Sequence, residues 1–478
     1  MENRIETNTV KIPLKTKIGY GFGSWGDVIA FNFFYVYFIY YLTDFAGLTP
    51  AMAGIISMLT IWFDAFTDPI IGGMSDRCKS PKGRRSPYML AGIIPLYITL
   101  VLMYFVIPVD SITVKFVYYT IIGCLFWLSY TMFVIPFLSV GAELTQDYQE
   151  RNSLRSWVSI FIYTGTWCGT AGPMVVLSAV MSMGITEKYA WTIGALIFGL
   201  VALVGGLISI RAIRGKQLTF EDKAEFAEKV SIGQIFKEYF SMLKLRAFRY
   251  YVGLVFCFCI AYAIEQSAVV YFMTNNLGVS ESWQSLYWTF FAVFSIVQLP
   301  LVNWLCNKLG KREGSIIMYS IAAVGMAFFY FTGIESYMML IVYCFLFNLA
   351  NTVYWTIGYS MMYDTSEVLE YETGSRGEGK ITGMGSFVQK VSCAIGAWML
   401  GMLLTYFNYD ASLTEQTAYT QQGILSLTTL IPAICLILVI LVVLFNPLSR
   451  KKYDILLTQL EKKRKGEPSS TEGIENLF

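Results

Sequence analysis

Two acidic residues interrupt a long apolar stretch near the start of this sequence, and they are the side chains best suited to chemistry. Asp64 and Asp68 stand four residues apart inside a run that extends from about Ala51 to Met74. This spacing places both carboxylates on one face of a helix. A carboxylate at the centre of a bilayer costs about 2.5–3.5 kcal/mol, so we expect the pair to face a cavity and to bind a cation there.

The overall composition explains why such a cavity would be needed. Hydrophobic residues make up 55% of the 478 residues and charged residues only 14%, whereas soluble domains carry about 25% charge. The chain is therefore predicted to be a polytopic membrane protein. Its net charge of +2 gives no indication of a nucleic-acid partner. Histidine is absent, which leaves carboxylates and lysine for any protonation-coupled step.

About twelve apolar runs are long enough to cross the roughly 30 Å of a bilayer's hydrocarbon core, and they fall into two sets of six. They begin near Ile18, Ala51, Tyr88, Thr113, Trp157 and Trp191, and near Phe248, Trp283, Ser315, Tyr337, Ile381 and Gly423. The predicted divisions are an N-terminal segment (1–17), a six-helix bundle (18–212), a linker with an amphipathic helix (213–247), a second bundle (248–447) and a tail (448–478). We expect the tail to be partly disordered, because it is charged and has few bulky residues beyond Leu460.

Lysine and arginine are distributed unevenly between the loops. Apart from Lys390 inside an apolar run and Lys115 and Lys188 in the opposite loops, they lie in alternate loops, in the central linker and in the two terminal segments. By the positive-inside rule, both termini are predicted to be cytoplasmic. We expect a multi-pass protein of a bacterial inner membrane that acts as a monomer.

The loop after the second apolar run contains glycines followed by a mixed-charge cluster. It includes Gly72, Asp76, Arg77, Arg84 and Arg85. A partial repeat of this glycine and basic-residue pattern occupies 307–312 in the second half. This arrangement resembles the loop signature of the major facilitator superfamily. Charges at the ends of neighbouring helices can pair when an inner gate is shut, and an internal two-half repeat suits a rocking transporter. The alternative is an ordinary positively charged loop.

Four further stretches narrow the resemblance to one branch, the glycoside-pentoside-hexuronide:cation symporters, whose best-known member is the melibiose carrier. They occupy 19–23 with 41–44, 64–69, 143–151 and 364–379. The resemblance implies an all-α major facilitator fold with about twelve transmembrane helices in two pseudo-symmetric bundles. It also implies import of a sugar-like solute together with Na⁺ or H⁺, with no cofactor besides the coupling ion.

The resemblance implies a cation site of four residues, with a substrate-binding lysine beside it. Asp64 and Asp68 match the aspartates that bind the coupling Na⁺ or H⁺, and they would be metal ligands if the ion is sodium. Thr67 lies between them, Thr131 matches a threonine that contributes an oxygen, and Lys390 matches a lysine that faces the site and links it to the solute. Oxygen ligands suit a small hard cation. The alternative is a buried ion-pair network that only locks two helices together.

The solute positions match the family less closely. Trp355 matches a tryptophan near the sugar, but the charged groups that hold galactosides are replaced by Asp27, Val28, Val134, Leu138 and Ser159. The sequence therefore does not favour a melibiose-like substrate. Asp27 and Glu265 lie in apolar runs at roughly corresponding places in the two halves. They would bind sugar hydroxyls, a cationic group or a second proton, or else be hydrogen-bonded carboxyls near helix ends.

An acidic stretch in the second half supplies the predicted partners of the gate. Its predicted gating residues are Asp364, Glu370 and Arg376. We expect the stretch to pair at the cytoplasmic side with an arginine of the first half, namely Arg77, Arg84, Arg85, Arg151 or Arg155, and we count Glu143 with the same gate. Exposed pairs are worth about 0–1 kcal/mol each, which suits a gate that opens. The alternative is a solvated charged loop.

No catalytic motif accompanies these residues. There is no GxxxxGK[ST], no HExxH and no histidine for a catalytic triad, so we do not expect an enzyme. The sequence predicts a cation-coupled carrier of a glycoside, pentoside or hexuronide that works by alternating access. Two rivals stay open: a lysolipid or other amphipathic-solute carrier of the same fold, and a membrane receptor that does not transport.

Overall fold

A computed structural model describes residues 12–80, 83–145, 148–215, 232–374 and 377–477. All regular secondary structure in these ranges is helical. Helices form because the long apolar runs have no water to satisfy their backbone groups, and a helix satisfies them internally. The predicted all-α fold class is thereby confirmed.

Seven helices precede the central linker. They are α1 (Leu14–Gly21), α2 (Gly23–Asp44), α3 (Pro50–Asp76), α4 (Ser86–Met103), α5 (Ile112–Glu143), α6 (Tyr148–Ser182) and α7 (Glu187–Ile213). The short α1 runs almost directly into α2, so these two elements together occupy the first predicted span.

Ten α-helices follow the linker, with wider π turns after α9 and α12. They are α8 (Ile232–Met242), α9 (Arg246–Tyr271) with a π turn at Phe272–Asn276, α10 (Glu281–Leu309), α11 (Lys311–Thr332), α12 (Tyr337–Val353) with a π turn at Tyr354–Gly358, α13 (Tyr359–Thr373), α14 (Glu378–Tyr406), α15 (Ala418–Thr428), α16 (Leu430–Phe445) and α17 (Arg450–Arg464). A 3-10 turn, Glu475–Leu477, ends the described chain.

Within the described ranges, eleven helical stretches are long and apolar enough to cross a membrane. Three of them join shorter elements: α9 continues into its π turn, α12 continues through its π turn into α13, and α15 continues into α16. The one expected span that is not among these eleven is the first in the chain, which corresponds to α2. Its Asp27, Asn32 and four tyrosines lower its apolar character. The chain is a multi-pass membrane protein.

The helices group into two compact units whose boundary does not follow chain order. Unit 1 contains the described residues of Met1–Phe34, Ile70–Phe105 and Ile121–Lys229, and unit 2 contains those of Tyr35–Pro69, Val106–Thr120 and Val230–Phe478. The chain therefore passes between the units inside α2, α3 and α5. The predicted division at 213–247 stays a prediction.

The tail contains a helix, while its expected partial disorder stays a prediction. After Pro447 the chain forms α17, in which Leu456 and Leu460 are buried, and farther on Ile474 and Leu477 are buried as well. Leu456 and Leu460 stand four residues apart, so they lie on one face of α17. This apolar face packs against other elements of unit 2. Residues 216–231 of the predicted linker lie outside the described ranges, and its amphipathic part forms α8.

Helices α3 and α14 meet in unit 2 at two glycines. A Cβ added to Gly401 would lie 2.3 Å from the Pro50 carbonyl oxygen, and one added to Gly54 would lie 3.0 Å from the Gly401 Cα. Small residues at such a crossing let two helix backbones approach closely. Farther along the same helices, the rings of Phe66 and Phe387 meet edge to face at 5.8 Å. Asp64 and Asp68 of α3 and Lys390 of α14 lie on the same two helices.

Candidate functional site

The two aspartates of α3 and the lysine of α14 form one cluster within unit 2. The Nζ atom of Lys390 lies 2.5 Å from Asp64 Oδ2 and 2.5 Å from Asp68 Oδ2. The Asp64 side chain is completely buried, whereas Asp68 and Lys390 each keep 16% of their side-chain surface exposed. We call Asp64, Asp68 and Lys390 the charged trio. Its three members are brought together as the sequence predicts.

The charged trio has unequal charges. Two carboxylates and one ammonium leave a net charge of −1, and burial weakens the screening of that charge by water. A single monovalent cation or proton would neutralise the cluster. Within the described residues, no group of three or more His, Cys, Asp or Glu side chains is arranged to hold a metal ion. Any sodium ion at Asp64 and Asp68 would therefore need further oxygen ligands.

The two predicted threonine ligands differ in their surroundings. Thr67 Oγ1 donates a hydrogen bond to the Asp64 backbone carbonyl at 3.1 Å, so its lone pairs stay available to a cation while its proton is used inside α3. Thr131 is fully buried and belongs to unit 1. The ligand roles of Thr67 and Thr131 stay predictions.

Trp355 lies in the π turn between α12 and α13, and it is 36% exposed. Its ring stacks on Tyr359 at 5.8 Å with an interplanar angle of 18°, and Tyr262 of α9 approaches it edge-on at 6.1 Å. The indole N–H donates to Asn351 Oδ1 at 2.9 Å. We call Trp355, Tyr359 and Tyr262 the aromatic platform. Isolated π turns inside helices often mark functional sites.

The aromatic platform is linked to the helix that carries Lys390. The Tyr359 hydroxyl donates to Gln389 Oε1 at 3.2 Å, and Gln389 is the neighbour of Lys390 in α14. The sequence analysis singled out Trp355 but missed Tyr262, Tyr359, Asn351 and Gln389. The spacing of Tyr359, four residues after Trp355, would have indicated that these two rings share a helix face, whereas the contact with Tyr262 depends on tertiary structure.

The two intramembrane carboxyls outside the charged trio differ in burial. Asp27 of α2 is half-buried, and its Oδ1 accepts a hydrogen bond from the Tyr130 hydroxyl at 2.6 Å. Glu265 of α9 is completely buried, with Tyr343 Oη at 3.2 Å and Tyr287 Oη at 3.5 Å from its Oε1. Asp27 belongs to unit 1 and Glu265 to unit 2. That they face each other stays a prediction.

Four of the predicted gating residues form one ion-pair network in unit 1. The guanidinium of Arg84 pairs with Glu143 and lies 3.8 Å from Asp76, and that of Arg85 pairs with Asp76 and lies 3.2 Å from Glu143. Arg85 also donates to Ser75 Oγ at 2.7 Å. Both arginines are buried, so the network joins the ends of α3 and α5 to the beginning of α4.

The second half has a shorter counterpart of this network. Lys311, at the start of α11, lies 2.7 Å from Asp364 Oδ1 of α13. Glu370 forms a two-point contact with Arg464 of α17, at 2.6 and 2.8 Å. The sequence analysis paired Asp364 and Glu370 with arginines of the first half, but in the structure each has a partner inside unit 2. Lys311 and Arg464 were missed because their proximity depends on the docking of α11 and α17.

Three predicted gating residues contribute little to this description. Arg77 is exposed at the end of α3. The Arg151 side chain and the whole of Arg376 lie outside the described part of the chain.

Comparisons with known proteins show which family the chain resembles along nearly its whole length. A family model described as MFS/sugar transport protein matches residues 19–450. An uncharacterized symporter of Bacillus subtilis, YnaJ, is 28% identical, with 96% of this chain and 97% of that protein aligned. A glucuronide carrier protein homolog of Escherichia coli is 25% identical, with 97% of this chain and 98% of that protein aligned.

The fold has solved neighbours as well. The crystal structure of the nucleoside transporter NupG superposes with a TM-score of 0.63 at 10% identity, covering 89% of this chain and 98% of that one. At this identity the likeness concerns the fold alone.

Proposed function

We propose that this chain, which belongs to the MFS/sugar transport family, uses a bound Na⁺ or H⁺ to drive a sugar-like solute across the bilayer by alternating access. Membership of that family and the matched symporters make it a sugar-type transporter. The cation coupling and the roles of single residues are the proposed part. The substrate class would be a glycoside, pentoside or hexuronide.

The observation that supports coupling is the position of Lys390 between Asp64 and Asp68. Two carboxylates that share one ammonium keep one negative charge, which a coupling cation would neutralise. When the cation binds, the lysine ammonium would be displaced from the carboxylate oxygens that the ion takes. Lys390 would then be free to interact elsewhere. Because the cation would replace the ammonium at the carboxylates, the position of the Lys390 side chain would depend on whether the ion is bound.

The aromatic platform supports a sugar-like solute. A flat aromatic face is suited to the apolar C–H side of a sugar ring, and Asn351 next to Trp355 offers polar atoms for hydroxyl groups. The hydrogen bond from Tyr359 to Gln389 connects this platform to the helix of Lys390. A shift of α14 on cation binding would therefore move the aromatic platform and change its contacts with the solute. Such coupling free energies are typically about 1–3 kcal/mol and act in both directions.

In this proposal the protein works in a bacterial inner membrane with both termini in the cytoplasm. The distribution of lysine and arginine supports that orientation. No catalytic step is required of any residue.

Thermal unfolding of the purified protein in Na⁺ and in K⁺, at equal ionic strength and pH, tests the cation site. A ligand at 100 times its Kd stabilises the folded state by about 2.7 kcal/mol. We expect a rise in Tm that requires Na⁺, or a rise on acidification if the ion is H⁺. The rise should be lost in Asp68→Asn and kept in Asp110→Asn, a matched change at an exposed loop residue.

Uptake into proteoliposomes tests the transport itself. A panel of phenyl glycosides and phenyl glucuronides would be offered with an inward Na⁺ gradient, an inward H⁺ gradient or neither. Accumulation under one gradient that is lost in Asp68→Asn would support the proposal. Equal uptake under all three conditions by the wild type would refute cation coupling.

A further inference from the structure

A second carboxyl group, outside the charged trio, is buried without a counter-charge. Glu265 lies in the last third of α9 and has no exposed surface. It forms no ion pair with any residue that the structure describes, and its Oε2 atom has no hydrogen-bond partner there. An ionised carboxylate in such surroundings is strongly disfavoured, because nothing replaces the water that it loses.

Tyr343, which contacts Glu265, donates its hydrogen bond to a backbone carbonyl that a proline in another helix leaves without a helical partner. Pro432 lies near the start of α16 and has no backbone N–H, so the carbonyl of Thr428, four residues earlier, receives no helical hydrogen bond from it. The Tyr343 hydroxyl donates to this carbonyl at 2.6 Å. Since a buried carbonyl without a partner is costly, this short bond commits the Tyr343 proton.

A tyrosine hydroxyl has only one hydrogen. With that hydrogen on the Thr428 carbonyl, the Tyr343 oxygen has only lone pairs to offer Glu265, whose Oε1 lies 3.2 Å away. Two oxygens without a hydrogen between them would repel each other. The contact is favourable only when Glu265 itself carries the hydrogen and donates it to Tyr343.

The other titratable groups near Glu265 reinforce this assignment. They are Tyr262 of α9, Tyr287 of α10, and Tyr343 and Cys344 of α12. All four are neutral when protonated and negative when ionised, so none provides a positive charge. Tyr287 Oη is 3.5 Å from Glu265 Oε1, which is too long for more than a weak hydrogen bond.

We propose that Glu265 is a proton-binding site: a carboxylic acid that keeps its proton at neutral pH and donates it to Tyr343, which in turn donates to Thr428. This relay joins α9, α12 and the junction of α15 with α16. Loss of the proton would turn the Glu265–Tyr343 contact from attractive to repulsive, so the polar link between the three elements depends on the bound proton. The site is separate from the charged trio, and the inference does not depend on cation-coupled transport.

Infrared spectroscopy of the purified protein in nanodiscs, at neutral pH and without solute or gradient, tests the proposal. We expect a carboxylic-acid C=O stretching band that shifts in D₂O, is absent from Glu265→Gln and is present in Glu335→Gln, a change at an exposed loop glutamate. An unchanged acid region in Glu265→Gln, with a carboxylate band lost instead, would show that Glu265 is ionised and would overturn the proposal.

A second variant covers the possibility that Glu265→Gln does not fold. Tyr343→Phe keeps Glu265 but removes the oxygen that accepts its proton, so the acid band should move to the higher frequency of a carboxylic acid without that hydrogen bond. A spectrum identical to that of the wild type would contradict the relay. Because no transport is measured, these outcomes are independent of whether the protein couples uptake to a cation.

Discussion

Gly54 of α3 and Gly401 of α14 are so close that a Cβ on Gly54 would lie 3.0 Å from the Gly401 Cα. The two helices that meet at these glycines are the ones that carry Asp64, Asp68 and Lys390. We therefore expect the width of the crossing to affect the geometry of the charged trio, although the glycines themselves have no polar side chain.

Alanine at Gly401 should disturb both stability and the charged trio. Its Cβ would meet the Pro50 carbonyl oxygen at 2.3 Å, and overpacking of this kind typically costs about 1–3 kcal/mol. Thermal unfolding should show a lower Tm, and the Na⁺- or H⁺-dependent rise in Tm should shrink. Gly379→Ala in the same helix has open space around the new Cβ and serves as the control. Equal Tm values for the two variants would show that the crossing tolerates separation.

Removal of Lys390 should make the protein depend on added cation. In Lys390→Met the carboxylates of Asp64 and Asp68 lose their shared counter-charge, and breaking a buried ion pair typically costs about 3–5 kcal/mol. The Tm should fall, and the coupling ion should raise it by more than in the wild type, because the ion no longer competes with the ammonium. The matched variant Lys188→Met changes an exposed lysine and should behave like the wild type. If the Tm of Lys390→Met did not change on addition of cations, the ion pair would be purely structural.

Glu143 should be the most sensitive member of the unit 1 network. It pairs with both Arg84 and Arg85, and its side chain is only 5% exposed. Glu143→Gln would remove the buried negative charge that both buried arginines contact, so we expect a loss of about 3 kcal/mol in the free energy of unfolding. Chemical denaturation in detergent measures it, with Glu415→Gln as an exposed control. A loss below about 1 kcal/mol would mean that the network behaves like surface pairs.

Trp355 should govern solute affinity. Trp355→Ala removes the central ring of the aromatic platform, and we expect the KM for the transported solute to rise about tenfold or more, equivalent to about 1.4 kcal/mol. Trp355→Phe keeps an aromatic face and should lose less. The control is Trp304→Ala, since Trp304 is 57% exposed in α10. An unchanged KM in Trp355→Ala would place the solute elsewhere.

The C-terminal helix α17 should be held mainly by apolar contacts. Leu456 is completely buried, and truncation of a buried leucine to alanine typically costs about 2–5 kcal/mol. Leu456→Ala should therefore make the tail accessible to limited proteolysis. Arg464→Ala removes an ion pair with 46% of the arginine side chain exposed, which is worth about 0–1 kcal/mol, and should change cleavage little. Faster cleavage of Arg464→Ala than of Leu456→Ala would show that the ion pair with Glu370 anchors the helix.

The sequence predicted the features that depend on local spacing. The apolar runs indicated the helices, and the four-residue spacing of Asp64 and Asp68 indicated a shared helix face. The approach of Lys390 came from the family resemblance, since the contact joins residues far apart in the chain. The helix α17 was not predicted because the charges of the tail outnumber its few apolar residues, although Leu456 and Leu460 stand at helical spacing.

Other features of the site could not be predicted from the sequence. The contact of Tyr262 with Trp355 depends on how α9 packs against the π turn. The relay from Glu265 to Thr428 requires three elements to meet and a proline to free one carbonyl. The partners of Asp364 and Glu370 depend on where α11 and α17 dock, which charge patterns alone do not define.

The net charge of the charged trio also has an electrical consequence. If the trio moves through the membrane field during the transport cycle, the cation-free carrier carries one negative charge, whereas the loaded carrier is neutral at this site. A membrane potential acts on one elementary charge with about 2.3 kcal/mol per 100 mV. An inside-negative potential would then drive the empty site toward the outer face and leave the loaded step unaffected, so voltage would speed the return of the carrier rather than the delivery of its cargo.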